Sequence, residues 1–156
     1  MQNAGEAYRA FAPAVLGYLR SQRAADPEDV LGEVFLQVAR DWRKFRGDDA
    51  ACRRWVFSIA HNRLIDAARA ASRRPPVSSS TLPDRPAMEP AAALDSELLA
   101  ALASLTAEQR EVVVLRFVAD LALEDVARIT RRRVGAVKAM QHRALEALER
   151  ALAGDR

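Results

Sequence analysis

The chain has 156 residues, of which 50% are apolar and 6% aromatic, and it carries 24 basic against 21 acidic side chains. This length suits one ordinary domain or two very small ones, and the abundant Ala, Leu, Arg and Glu favour helix over strand. Cys52 is the single cysteine, which excludes an intramolecular disulfide and a cysteine-based metal site. No apolar run approaches the ~20 residues that span a membrane, so we expect a soluble cytoplasmic protein without membrane attachment.

A proline-rich segment at about 73–93 divides the chain. It holds five of the seven prolines and a serine–threonine run, which cannot continue a helix and indicate a semi-extended linker. The net charge is +4 over residues 1–74, −3 over 75–105 and +2 over 106–156. Two basic units joined by an acidic linker suit a polyanion that is contacted at two places.

Three helices are predicted before the linker. The first covers about 5–22, with Pro13 inside it as an expected break or kink. The second begins at Asp26, which can cap it, and Pro27, which fits the first helical position. The third runs from about 50 to 72. The side chains of this third helix that are expected to face inward are Trp55, Val56, Ile59, Leu64, Ile65 and Ala68.

The third helix also interleaves basic, aromatic and amide side chains. In sites for single-stranded nucleic acid, flat rings stack on exposed bases while arginines follow the backbone, so this helix is a candidate strand-binding surface. Its basic and aromatic members are Arg53, Arg54, Trp55, His61 and Arg63. Asparagine has a poor propensity for the middle of a helix, which favours a function for Asn62. Trp55 and Phe57 also fit the hydrophobic core.

After the linker the pattern predicts a short helix at 94–103 and a longer one through about Val118. Thr106 and Gln109 resemble a capping box that opens this longer helix. A break then precedes a helix at about 123–129, an arginine-rich turn and a last helix at about 133–152.

The last two helices fit a helix-turn-helix, in which the second helix reads base edges and flanking basic groups neutralise phosphates. Its apolar seam is predicted at Val134, Val137, Met140, Ala144, Leu145 and Leu148. Its DNA-facing residues are predicted to be Arg131, Arg132, Arg133, Ala136, Lys138, Ala139 and Arg143. A plain helical hairpin with a solvated basic end fits the same pattern. His142 has no second ligand at metal-binding spacing, so no metal site is expected.

Several segments resemble a known family. YRAFAPAVLGYLR, DPEDVLGEVFLQVARDWRKFRGD and RRWVFSIAHNRLIDAAR, in that order, resemble conserved region 2 of extracytoplasmic-function (ECF) sigma factors. LTAEQREVVVLRFVADLALEDVARITRRRVGAVKAMQHRALEAL resembles their region 4. The resemblance implies an all-α fold of two small domains, a three-helix domain over 1–74 and a helix-turn-helix domain over 94–156, joined by a flexible Pro-rich linker over 75–93.

The resemblance further implies an RNA polymerase sigma factor, which recognises the −35 and −10 promoter elements and promotes melting. Docking on the β′ clamp of core polymerase is implied for Asp29, Glu33 and Gln37. Contact with single-stranded −10 DNA is implied for Phe45, Arg46, Gly47, Asp48, Arg53, Arg54, Trp55, His61, Asn62, Arg63 and Arg69. The DNA-facing residues of the last helix are implied to bind the −35 duplex. Family analogy adds the polymerase β flap and an anti-sigma factor as partners.

Other classes fit less well. A stand-alone helix-turn-helix regulator would carry a ligand, phosphoacceptor or dimerisation module in place of the Trp/Asn/Arg helix. A helical adaptor would not need arginines clustered at a helix start. No nucleophile–base pair, no pair of carboxylates with a His and no Gly-rich phosphate loop is present, so neither an enzyme nor a cofactor is expected.

Overall fold

The computed structural model describes residues 1–73 and 95–154, and all regular secondary structure in these two ranges is helical. Arg74 and the predicted linker, 75–93, lie outside the described residues. The helices are α1 (Ala4–Ser21), α2 (Pro27–Asp41), α3 (Asp49–Arg73), α4 (Ser96–Ala103), α5 (Ala107–Val113), α6 (Leu123–Thr130) and α7 (Val134–Ala153), with a 3₁₀ turn at Trp42–Lys44 and a π-helical turn at Val114–Val118. None of these helices is long and apolar enough to cross a membrane.

The start of α2 follows its predicted capping signal, whereas α1 departs from its prediction. The Asp26 side chain accepts a hydrogen bond of 3.1 Å from the backbone N–H three residues on, and Pro27 is the first helical residue. Pro13 lies inside α1 without ending it, so the expected break is wrong. Phe11 before it and Val15 after it are both buried, and their packing holds the two halves of α1 against the core despite the missing backbone donor.

The first three helices pack around a common core. Its largest fully buried side chains are Tyr18, Phe57, Leu16, Leu19, Val15, Val34, Val38 and Val56. Fully burying an apolar side chain of this size stabilises the fold by about 1.5–3 kcal/mol. Ala68, predicted to face inward, is exposed, and no residue of α3 beyond Ala60 is buried. The last turns of this 25-residue helix therefore extend past the core.

Local signals also set the helices of the second half. Asp95 caps α4 through a hydrogen bond of 2.7 Å. Thr106 and Gln109 form the predicted capping box, with bonds of 3.2 and 3.3 Å. The helix that follows is α-helical to Val113 and then continues as the π-helical turn to Val118, the predicted end.

α6 and α7 form a helix-turn-helix arrangement. Arg131, the first residue of the turn between them, has a left-handed φ of 56°. The buried residues of α7 are Val137, Ala144 and Leu148. Val134 and Leu145, which were expected in the apolar seam, are 40% and 41% exposed. At 3.6 residues per turn they lie about 60–80° from the centre of the buried line, at its edge, where a side chain is only partly covered.

The two halves contact each other. α3 packs against α6, and α1 packs against α4, α5 and the π-helical turn. The edge of α3 that carries Arg53, Arg54 and His61 is thereby brought to the second half of the chain.

Candidate nucleic-acid interface

Aromatic rings anchor the loop between the 3₁₀ turn and α3. Phe45 stacks on Trp55 with ring centroids 5.1 Å apart and an interplanar angle of 15°. Trp42 lies 5.6 Å from Phe45 and 6.1 Å from Trp55. Aromatic pairs of this kind contribute about 0.5–1.5 kcal/mol beyond the area they bury. The half-buried Trp55 therefore supports the loop and has a packing role.

The other loop residues are engaged within the loop itself. Arg46 donates hydrogen bonds of 2.8 and 2.9 Å to two backbone carbonyls that precede it. Gly47 has a φ of 144°, and a Cβ at this position would lie 2.6 Å from the Cβ of Ala51. Asp48 accepts a hydrogen bond of 2.9 Å from the Ala51 backbone N–H and caps the start of α3. These contacts give the loop a defined shape, with the Arg46 guanidinium turned back on it.

Three of the expected strand-binding side chains on α3 pair with carboxylates of the second half. The pairs are Arg53 Nη1 with Asp120 Oδ2 at 3.9 Å, Arg54 Nε with Asp125 Oδ1 at 3.7 Å, and His61 Nδ1 with Glu111 Oε2 at 3.3 Å. The side chains of the last pair are only 13% and 14% exposed. The His61–Glu111 contact is therefore the least exposed to solvent of the three.

A buried hydrogen-bond network surrounds this contact. The Tyr18 hydroxyl donates to Glu111 Oε2 at 2.7 Å and lies 3.1 Å from Nδ1 of His61. Burial raises the pKa of Tyr18 well above its usual range, and the neighbouring Glu111 adds to the effect. Burial also acts to raise the pKa of Glu111, but hydrogen bonds from His61 and Tyr18 and attraction to His61 and Arg132 outweigh it, and the pKa is lowered. Glu111 therefore carries a negative charge at neutral pH.

Arg110, next to Glu111, is a buried cation with three acceptors. It is 6% exposed and donates to the carbonyls of Leu102 at 3.0 Å and Leu105 at 3.1 Å. Its third bond, of 3.1 Å, reaches the carbonyl of Ser21 at the end of α1. Burial lowers the pKa of Arg110, and the nearby charge of Arg23 lowers it further. One guanidinium thus ties α4 to α1.

Sequence reasoning missed Tyr18, Arg110 and Glu111. Tyr18 lies three residues after Val15 on the buried face of α1, where a hydroxyl needs a partner. Arg110 lies four residues before the buried Val114, so it faces inward. The sequence pattern therefore indicated that Tyr18 and Arg110 face inward. It could not indicate the role of Glu111, because the partners of this side chain lie in the other domain.

The remaining strand-binding candidates lie on a different side of α3. Asn62 and Arg69 are both exposed and are seven residues apart, so they share one face of the helix. Within 1–73 and 95–154 the Asn62 amide has no hydrogen-bond partner. Arg63 is half-buried and donates a bond of 3.0 Å to Gln37 Oε1 on α2. The eleven −10 candidates therefore form a loop, an exposed face and an edge covered by the second half, with Arg63 turned towards α2.

The three polymerase-binding candidates follow one another along α2. Asp29, Glu33 and Gln37 are spaced by four residues and share a helix face. Asp29 and Glu33 are exposed, and Gln37 is half-buried because of its bond to Arg63. Leu36 beside them is 65% exposed, which makes this face partly apolar.

The −35 candidates all reach the surface of the second half. Arg131, Arg133, Ala136, Lys138 and Arg143 are exposed, whereas Arg132 and Ala139 are half-buried. At about 100° per residue, Lys138 lies on the opposite flank of α7 from Ala136 and Arg143. Arg131 and Arg132 belong to the turn, and Arg133 immediately precedes α7. The seven residues therefore cover the turn and both flanks of one helix start.

A cleft of about 440 Å³ lies between the two halves. Its walls include Phe45, Arg54 and Trp55 from the first half and Asp125, Arg128 and Ile129 from the second. In the part of the chain that the structure describes, no group of three His, Cys, Asp or Glu side chains could hold a metal ion.

Two family models match the chain, Sigma-70 region 2 over residues 7–74 and Sigma-70 region 4 over residues 95–148. The chain is 35% identical to the ECF RNA polymerase sigma factor ShbA of Streptomyces griseus over 158 residues, which cover 90% of this chain and 82% of that protein. It is 30% identical to the ECF RNA polymerase sigma factor SigD of Mycobacterium tuberculosis over 150 residues, which cover 88% of this chain and 71% of that protein.

Among solved structures, the sigma factor RpoE from Bartonella quintana, in complex with the anti-sigma factor NepR, matches with a TM-score of 0.72 and 23% identity, covering 97% of this chain and 98% of that one. CnrH, in complex with the cytosolic domain of CnrY, matches with a TM-score of 0.65 and 21% identity, covering 98% of this chain and 89% of that one. The predicted all-α fold of two domains is thereby confirmed.

Proposed function

Because the chain belongs to the ECF family of RNA polymerase sigma factors, we propose how its two domains divide the recognition of a promoter. Sigma factors bind core RNA polymerase and promoter DNA and are regulatory DNA-binding proteins. The observation that carries the proposal is the match of both domains in order, region 2 followed by region 4. A stand-alone regulator would share only the helix-turn-helix.

The first domain, 1–74, is assigned to core polymerase and the −10 element. The carboxylates of Asp29 and Glu33 are exposed on α2, and Leu36 and Gln37 follow them on the same side of the helix. This mixed polar and apolar face supports docking on the β′ clamp. The exposed amide of Asn62 and the guanidinium of Arg69 support contact with an opened strand, since both groups are free to reach a base or phosphate.

The anchored loop complements this face. Phe45 and Trp55 offer ring surface for base stacking beside the cleft, while Gly47 and Asp48 fix the path of the backbone. A base that leaves the duplex costs a few kcal/mol, which such contacts offset. Arg53, Arg54 and His61 belong to the same proposed strand surface, and they reach DNA only after their carboxylate partners have moved away.

The second domain, 94–156, is assigned to the −35 element and to the polymerase β flap, and 75–93 to the linker. Arg133, which immediately precedes α7, and the exposed Ala136 one turn on support a recognition role for this helix, and the basic turn beside them supports contacts with phosphates. Short side chains such as Ala136 allow the helix backbone to approach the groove closely.

We expect an anti-sigma factor as a further partner, because the sigma factor RpoE from Bartonella quintana, which has the same fold, was solved in complex with the anti-sigma factor NepR. The chain itself is proposed to catalyse no reaction and to need no cofactor. We expect it in the cytoplasm, where bacterial RNA polymerase transcribes.

The test separates the two DNA contacts. In holoenzyme, Arg133→Ala should weaken binding to a −35 duplex by about 1–3 kcal/mol if the side chain contacts a base edge. Asn62→Ala should leave that binding nearly intact but lower the permanganate reactivity of −10 thymines, and a pre-melted template should restore much of the activity. Exposed residues of the same helices supply the controls, Ser72→Ala on α3 and Arg150→Ala on α7.

The assignment of the domains fails if the effects are exchanged. Loss of −35 duplex binding in Asn62→Ala, or a pure melting defect in Arg133→Ala, would be such a result. Equal defects in Asn62→Ala and its control Ser72→Ala would remove Asn62 from the strand-binding surface.

A further inference from the structure

Gly32 is an exposed glycine in the interior of α2. A glycine at such a position destabilises a helix relative to alanine. No atom lies within 4 Å of the place that a Cβ would take, and the φ of this residue lies outside the left-handed region. Neither the packing of the chain nor its backbone conformation therefore requires a glycine here. Glycine also serves where another molecule has to approach the backbone closely, and that use fits an exposed position.

Gly32 forms one corner of a hole on the outward side of α2. Asp29, Gly32, Glu33 and Leu36 have the spacing i, i+3, i+4 and i+7, and all four are exposed. When two helices pack with knobs into holes, four neighbouring residues of one helix surround a hole that receives a side chain of the other. Because Gly32 has no side chain, this hole is open on one side and has room for a large side chain.

The corners of the hole determine the chemistry of what can fill it. Leu36 is 65% exposed, the highest value among the large apolar side chains in 1–73 and 95–154. Leu36 and the bare backbone of Gly32 lie one turn apart and form an apolar row, and Asp29 and Glu33 form an acidic row beside it. A helix that carries a bulky apolar side chain next to a Lys or Arg complements both rows.

We propose that Gly32 is a specificity-determining residue for core RNA polymerase: the hole formed by Asp29, Gly32, Glu33 and Leu36 receives a bulky apolar side chain from a polymerase helix, with a basic side chain beside it. This inference rests on the docking role proposed above for this face of α2. The distance between two packed helices depends on the side chains at their contact. Any side chain at Gly32 therefore holds the partner helix away and lifts its apolar side chain out of the hole.

Two substitutions in the full-length protein fill the hole in steps. Gly32→Ala adds one carbon and Gly32→Leu adds a whole apolar side chain, and both new residues favour helix more than glycine does. Gly135→Ala is the matched control, because Gly135 is an exposed glycine of α7 at which an added Cβ also meets no atom within 4 Å. The measurements are the midpoint of urea unfolding by circular dichroism and the affinity for core polymerase without DNA by surface plasmon resonance.

Stability and affinity should change in opposite directions at Gly32. Both variants should unfold at a higher urea concentration than the wild type, because a glycine has been removed from a helix interior. Their affinity for core polymerase should fall about five- to a hundredfold, as expected for an overfilled contact, and Gly32→Leu should bind more weakly than Gly32→Ala. Gly135→Ala should bind as tightly as the wild type. A purely structural role of Gly32 would instead lower stability and affinity together.

The outcomes separate this inference from the docking role on which it rests. Unchanged or tighter binding by Gly32→Leu overturns the inference, and so does an equal loss of affinity in Gly135→Ala. A double variant, Asp29→Lys with Glu33→Lys, tests the docking face itself and should also bind more weakly. If the charge reversal weakens binding and Gly32→Leu does not, the docking role stands and the role of Gly32 is rejected. If the charge reversal leaves the affinity unchanged, the docking role fails and this inference fails with it.

Discussion

Arg110 offers the sharpest test of what stabilises the second domain. Arg110→Met removes a donor from three backbone carbonyls at 3.0, 3.1 and 3.1 Å. Each hydrogen bond to a charged group contributes about 1.5–3 kcal/mol. A methionine side chain avoids the cost of burying the charged guanidinium, which is several kcal/mol, and keeps many of the apolar contacts of the arginine stem. The net loss in the free energy of unfolding should be about 2–4 kcal/mol, a large part of the stability of a small domain.

The two domains can be followed separately because both tryptophans, Trp42 and Trp55, lie in the first. Far-UV circular dichroism reports helix in both domains, and tryptophan fluorescence reports only the first. Two of the three Arg110 bonds stay within the second domain. The urea transition seen by circular dichroism should therefore broaden or split towards lower urea, while the fluorescence transition moves less.

Two controls distinguish charge from geometry. Arg110→Lys keeps the positive charge, but an ammonium group cannot span acceptors that surround a planar guanidinium, so it should lose nearly as much stability. Arg150→Met alters an exposed arginine and should change stability by less than about 0.5 kcal/mol. A stable Arg110→Met, or an Arg110→Lys that matches the wild type, would refute the reasoning.

Two further predictions concern the loop and the domain contact. Gly47→Ala places a Cβ 2.6 Å from that of Ala51 at a φ of 144°, and should cost about 1–3 kcal/mol in urea unfolding followed by tryptophan fluorescence. Gly32→Ala, where no atom lies within 4 Å of the added Cβ, should instead raise the free energy of unfolding by about 0.5–1 kcal/mol. Equal effects of the two substitutions would contradict the backbone strain inferred at Gly47. The pKa of Glu111 is lowered where the two domains meet. The ionised carboxylate therefore stabilises the contact between the domains fully above the usual pKa of 4.5, and this stabilisation is lost as the pH falls through the lowered pKa. Acid should therefore expand the wild type more than Glu111→Gln, and parallel curves of the radius of gyration would count against this.

Much of the fold could be predicted because its signals are local. Asp26 with Pro27, and Thr106 with Gln109, mark helix starts through bonds that span only three residues. The predictions fail where packing between residues that are distant in the sequence determines the course of a helix. The buried residues on either side of Pro13 keep α1 continuous, a result that no local rule contains.

The candidate site was predictable only in part. The pattern selected His61 on α3 as a nucleic-acid ligand, and in the structure its side chain is only 13% exposed and contacts the second domain. Its actual neighbour, Glu111, is 50 residues away along the chain and beyond the linker. Amphipathic periodicity describes each helix alone, so it cannot report which helices of two domains meet.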